Sequence, residues 1–144
     1  MLLDKLKKIL PINGNVYPKD FQTIVQNLYS DSDPNEEIIN FVWDAYQYSK
    51  NAHEGQLRRS GEPYFTHCSA VGIILSKWKM DARTISAGLM HDIIEDTDSS
   101  RKDMVDKFGE EIAELVDGVS KLSGINFSSR REKQAENFMK MFLS

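Results

Sequence analysis

With a single cysteine, Cys68, the 144-residue chain can form no internal disulfide, which suits a reducing cytoplasm and leaves stability to packing. Basic charge is not in excess either. The 18 Lys and Arg stand against 22 Asp and Glu, and a net charge of −4 argues against nonspecific nucleic-acid binding. The N-terminal stretch M-L-L-D-K-L-K-K-I-L-P carries charges among its apolar residues, so it is neither a signal peptide nor a membrane span. The chain also lacks long β-branched alternation, internal repeats and low-complexity tracts.

What remains is helical patterning almost throughout, so the fold class is all-α. Residues 1–10 read as a short amphipathic segment closed by Pro11, and a second helix is expected near 21–29. The cluster S-D-S-D-P at 30–34 marks a turn and a helix start. From 36 to about 53, Ile38, Ile39, Val42, Ala45, Tyr46 and Ser49 define one face of a long helix that Gly55 ends. A loop over 56–63 leads to helices expected over 64–78, 81–96, 100–108 and 110–122. A loop over 124–129 then precedes a terminal helix. A chain of this length can bury roughly 68% of its unfolded surface, enough for one core.

The chemistry concentrates in H-D-I-I-E-D. If 81–96 is one continuous helix, His91, Asp92, Glu95 and Asp96 fall within about 140° of one another and Ile93 and Ile94 point away. An imidazole crowded with three carboxylates is costly unless a cation, a proton or a hydrogen-bond network compensates it. An acidic run alone is most often a solvated face, but the adjacent His-Asp pair argues otherwise. Ala87 and Gly88, four residues upstream, would leave space beside the cluster.

A second histidine, His67, stands twenty-four residues earlier, with Ala70, Val71, Ile74 and Trp78 at helical spacing, and is expected to look inward along that stripe. Taken singly, such a histidine is usually a satisfied core residue. Paired with an inward His-Asp on the next helix, it becomes a third ligand for a divalent ion such as Mn²⁺, Fe²⁺ or Zn²⁺. Ten acidic residues against three basic ones lie between Asp92 and Asp117, whereas Lys50, Arg58 and Arg59 cluster just before His67. A polyphosphate would need the metal and the arginines together. By themselves Arg58 and Arg59 read as a solvated loop, which Gly61 and Pro63 would shape. His53 is expected to serve in hydrogen bonding, not ligation.

Three blocks carry a family resemblance: A-H-E-G-Q-L-R-R-S-G-E-P-Y-F-T-H from Ala52, H-D-I-I-E-D-T-D from His91 and F-G-E-E-I-A-E-L-V-D-G-V-S-K-L from Phe108. Together with Q-A-E-N-F-M-K-M from Gln134, they resemble the N-terminal HD hydrolase domain of the Rel/SpoT guanosine tetraphosphate (alarmone) enzymes. The resemblance implies an HD-domain helical bundle, with 1–35 as an N-terminal helical extension packing on it and 36–144 as the domain, incomplete at its C-terminus. It makes His67, His91 and Asp92 ligands of Mn²⁺, Glu95 and Asp96 the catalytic acidic pair, and Arg58, Arg59 and Ser60 the loop that holds the guanine nucleotide. Cys68 stands where the family usually has proline, and Arg59 where lysine is frequent, which keeps the charge but changes donor geometry.

The implied activity is that of a cytoplasmic guanosine-3′,5′-bis(diphosphate) 3′-pyrophosphohydrolase of the stringent response, part of a longer bifunctional synthetase/hydrolase. The implied partner is ppGpp or pppGpp. Neither direct nucleic-acid binding nor membrane contact is implied, and ribosome contact only through regions absent from these residues. The family's fourth ligand, an aspartate in D-R-x-H-N, has no counterpart in the 144 residues, and Gln134 to Ser144 reads as a helix cut midway. The expectation is therefore a fragment with weak Mn²⁺ binding and little hydrolysis of its own. The alternative is a non-hydrolytic regulatory or nucleotide-binding HD module. Retention of all five acidic and histidine positions favours the enzyme.

Overall fold

The structure is a computed structural model that describes residues 17–97 and 99–123, the side chains of 96 and 121–123 apart. The expected segments over 1–10 and beyond 124 lie outside the described residues. Among the described residues the regular elements are all helical: α1 (Lys19–Leu28), α2 (Glu36–Ala52), α3 (Phe65–Lys77), α4 (Ala82–Leu89), α5 (Ile93–Asp96), α6 (Arg101–Phe108) and α7 (Glu110–Ser123). The all-α expectation holds.

Side-chain caps set several of the helix starts. Asn35 accepts from the Ile38 N–H and Asp81 from the Thr84 N–H, while Ser100 and Asp103 form a capping box. The cap of α2 is thus Asn35, one residue past the S-D-S-D-P cluster. At the other end of α2, His53 is the C-cap, and Gly55 turns the chain at φ 81°, a left-handed conformation that costs a residue with a Cβ.

α4 is the centre of the bundle. Every residue from Thr84 to Leu89 is buried, and the helix packs against α2, α3 and α7, with α1 packed against α3. Phe21, Ile24 and Val25 of α1 join the same core, and a chain of tilted rings through Tyr17, Phe21, Trp43, Tyr46 and Phe65 ties α1 to α2 and α3. Ile39, Val42, Ala45, Tyr46 and Ser49 are buried on α2 as the spacing required, but Ile38 is 39% exposed at the edge of that stripe.

Two expectations are corrected here. The stripe expected to face inward from α3 is not the buried one: Phe65, Cys68, Ser69, Gly72, Leu75 and Ser76 are buried, while Trp78 is 41% exposed and Ala70 lies at the surface. α3 is apolar nearly all round, so its smallest side chains decide which face can approach the neighbours most closely. A Cβ on Gly72 would stand 2.6 Å from Leu89 Cδ2. Gly88 does the same from the other side, where a Cβ would meet Leu75 Cδ1 at 2.3 Å. The space expected beside the acidic cluster is therefore filled by Leu75, and Gly88 serves the α3–α4 crossing.

Candidate metal centre

The helix expected over 81–96 is not continuous. α4 ends at Leu89 and α5 begins at Ile93, so His91 and Asp92 occupy a turn between them. Met90 (φ −104°, ψ 5°) and Asp92 (φ −98°, ψ 0°) lie in the bridge region, and the local bonds contract to a tighter spacing, with Ile93 N–H donating to Met90 O. A polar competitor accompanies the break: the imidazole of His91 bonds the Gly88 carbonyl from Nδ1 at 2.7 Å. The carbonyl of His91 in turn accepts from Ser120 Oγ of α7 at 2.8 Å. The pair is thus held between the buried end of α4 and α7, with His91 and Asp92 2% and 7% exposed.

His67 approaches from the first turn of α3. Its side chain is 29% exposed, at the margin of the core rather than within it. His91 Nε2 lies 2.9 Å and His67 Nε2 3.5 Å from Asp92 Oδ2, and one ligand atom from each of the three residues falls within 4.8 Å of the others. The same Oδ2 accepts from the Tyr64 hydroxyl at 2.7 Å.

Electrostatics follow from this crowding. Burial lowers the pKa of His67 to about 4, helped by the charge of His91 and, more weakly, of Arg58 and His53, against the opposing pull of Asp92. For Asp92, burial by itself would raise the carboxyl. The hydrogen bond that a protonated His91 donates, the one from Tyr64, and the charge the two histidines carry when protonated outweigh it and hold the group down at about 2. The carboxylate is therefore ionised and the His67 imidazole neutral near pH 7.

This donor set fits a divalent cation. His91 Nδ1 faces a carbonyl, which only accepts, so that nitrogen carries the proton and Nε2 of the neutral ring presents a lone pair. That lone pair is 2.9 Å from a carboxylate oxygen, acceptor against acceptor, and only a second proton or a cation relieves the contact. Histidine with its far nitrogen on a backbone carbonyl is the usual arrangement of a metal-ligating imidazole. Two imidazoles and a carboxylate suit a borderline divalent ion.

The remaining expected residues do not join this group. Glu95 is exposed on the short α5, outside the three-residue cluster, because the break at 90–92 abolishes the shared helical face that the spacing implied. Asp96 belongs to α5 with its side chain outside the described residues, as is Asp98. Arg58 is half-buried and near enough for its charge to act on His67, whereas Arg59 and Ser60 are exposed. Their loop is shaped: Arg58 N–H donates to Glu62 O, Gly61 N–H to Arg58 O, and Leu57 bridges Pro63. Gly61 has φ 88°, as such a tight turn requires. His53 bonds Gln56 Oε1 through Nδ1 at 2.9 Å and lies outside the cluster, while its buried Nε2 has no hydrogen-bond partner among the described residues.

Sequence reasoning missed Tyr64. The signal available was its position three residues before His67, one helical turn away, directly after Pro63.

The HD domain family matches residues 45–144, more than half of the chain. The chain belongs to the HD domain family. It is 50% identical over 109 residues to the bifunctional (p)ppGpp synthase/hydrolase SpoT of Escherichia coli (strain K12), an alignment covering 76% of this chain and 16% of that protein. It is 43% identical over 147 residues to the GTP pyrophosphokinase of Myxococcus xanthus, covering 91% and 19%. With the guanosine-3′,5′-bis(diphosphate) 3′-pyrophosphohydrolase of Borreliella burgdorferi it shares 36% over 124 residues, covering 86% and 18%. The chain spans less than a fifth of the length of these relatives. Among the described residues no helix is long and apolar enough to cross a membrane.

Proposed function

We propose that this HD domain hydrolyses the 3′-pyrophosphate of guanosine tetra- or pentaphosphate in the cytoplasm, with Mn²⁺ held by His67, His91 and Asp92. The observation that carries the reading is the convergence of two imidazole Nε2 atoms on one ionised carboxylate oxygen, in a domain 50% identical to a (p)ppGpp synthase/hydrolase. A bound divalent cation supplies Lewis acidity toward a phosphoryl group. Asp92 and the His91 ring, fixed from behind by Gly88 and Ser120, hold that charge at the edge of the core. Arg58, beside His67, and Arg59 and Ser60 at the loop tip bind and orient the guanine nucleotide, their positive charge offsetting the acidic surface that would otherwise repel it.

Water attacks the phosphorus attached to the ribose 3′ oxygen, the bond to that oxygen breaks, and pyrophosphate leaves. Glu95, exposed on α5 three residues after Asp92, takes the proton of the attacking water, and Asp96 completes the acidic pair. The proton returns to the 3′ oxygen of the product.

The test is pyrophosphate release from guanosine tetraphosphate by the chain, with and without Mn²⁺, beside His91→Ala. Slow, Mn²⁺-dependent release that disappears in His91→Ala is expected. Nucleotide binding without release under any metal would favour a non-hydrolytic nucleotide-binding module instead.

A further inference from the structure

We propose that Tyr64 is a positioning residue of the metal centre, whose hydroxyl orients the Asp92 carboxylate for a divalent cation. The inference rests on the metal reading above. Asp92 sits in the turn between α4 and α5, so no continuous helix fixes its side chain, and a carboxylate must be turned by something before two histidines can share a cation with it. The contact at hand is Tyr64 Oη, which donates to Oδ2 at 2.7 Å. That oxygen is also the one nearest both imidazoles. A carboxylate offers about four lone-pair directions, so one occupied by the phenol leaves others for a cation.

The phenol is itself held from behind. The backbone N–H of Tyr64 donates to Gln56 O at 2.8 Å, and its ring lies against the buried imidazole of His53, centroids 4.9 Å apart and planes 31° from parallel. His53 in turn bonds the Gln56 side chain at 2.9 Å. The C-cap of α2, the turn after it and the entry to α3 thus form one support that ends in a hydroxyl on a ligand oxygen. On the other side the Tyr64 ring meets the edge of His67, centroids 5.8 Å apart. One tyrosine therefore touches two of the three candidate ligands, and His53 acquires a purpose that ligation does not explain.

Hydrogen-bond partners behind metal ligands typically contribute ~10–100-fold in affinity. Tyr64→Phe removes the hydroxyl and keeps the ring, so the Mn²⁺ dissociation constant of the full chain, measured by equilibrium dialysis, should rise about tenfold while helix content and melting stay those of the wild type. A second readout needs no variant: Zn²⁺, which is spectroscopically silent, should perturb the near-ultraviolet tyrosine absorption of the wild type, because Tyr64 is bonded to a ligand. Equal Mn²⁺ affinity in Tyr64→Phe and wild type would overturn the inference and leave the metal reading standing. No Mn²⁺ binding by the wild type would overturn the metal reading and this inference with it. Should Tyr64→Phe fail to fold, the Zn²⁺ difference spectrum decides, and an unperturbed tyrosine band would count against Tyr64.

Discussion

His91 and Asp92 are buried between α4 and α7 and tied to Gly88, Ser120 and Tyr64, whereas the half-buried Arg58 and the exposed Arg59, Ser60 and Glu95 stand on a loop and a one-turn helix. His67 lies on the boundary between the two regions, with 29% of its side chain exposed. The buried region is preorganised: its groups hold their positions before anything binds, and the folding energy of the core offsets the cost of the crowded charge. On the proposed reading the exposed region exchanges with a substrate, and it is built from groups that cost little to leave in water. Ligation and chemistry are thus separable by mutation, and changes in one region should leave the other's readout in place.

The sharpest separation is expected at Glu95. Glu95→Gln keeps size and hydrogen bonding but removes the base, so turnover should fall at least ~100-fold while Mn²⁺ occupancy stays at the wild-type level. Loss of metal together with activity would erase the distinction between the regions. Arg58→Ala should have a smaller effect, raising the apparent KM for guanosine tetraphosphate roughly two- to fivefold at low salt, as a partly solvated charge pair permits, with kcat and metal content unchanged. The difference should shrink as salt is added. An unchanged KM at low salt would return Arg58 to a solvated loop.

The smallest effect is on stability against pH. His67 has an ordinary value of 6.5 and about 4 in the folded chain, so between those values the unfolded chain binds more protons and stability is lost as pH falls. Asp92, at 3.8 unfolded and about 2 folded, adds a loss in the same direction at lower pH. Thermal melts of the metal-free chain should therefore fall more steeply between about pH 6.5 and 4 for the wild type than for His67→Gln. Parallel curves would mean that His67 titrates as it does in water.

The helices were largely legible from periodicity, because caps and glycines leave local signals: α2 ends within a residue of the expected position and α6 and α7 match closely. The break at Met90–Asp92 was not. A wheel drawn at constant rotation cannot register that an imidazole will bond the Gly88 carbonyl beside a tightened backbone turn. Nor could apolar spacing choose the buried face of α3, since close approach at Gly72 and Gly88 depends on which partner helix crosses there. His67, His91 and Asp92 were identified as a set, and the structure brings their ligand atoms together, yet Glu95 was placed on their face by a continuity that does not exist. Tyr64 went unnoticed because a hydroxyl pairing with a carboxylate twenty-eight positions away leaves no local mark in the sequence.

The most direct measurement is a Mn²⁺ titration of the chain, followed by the electron paramagnetic resonance signal of the free ion, beside Asp92→Ala. Because His67, His91 and Asp92 converge on one point, the wild type should bind one Mn²⁺ per chain, weakly but saturably, and Asp92→Ala should bind none in the same range. Binding of equal affinity and stoichiometry in both proteins would place the ion elsewhere and remove the metal centre from His67, His91 and Asp92.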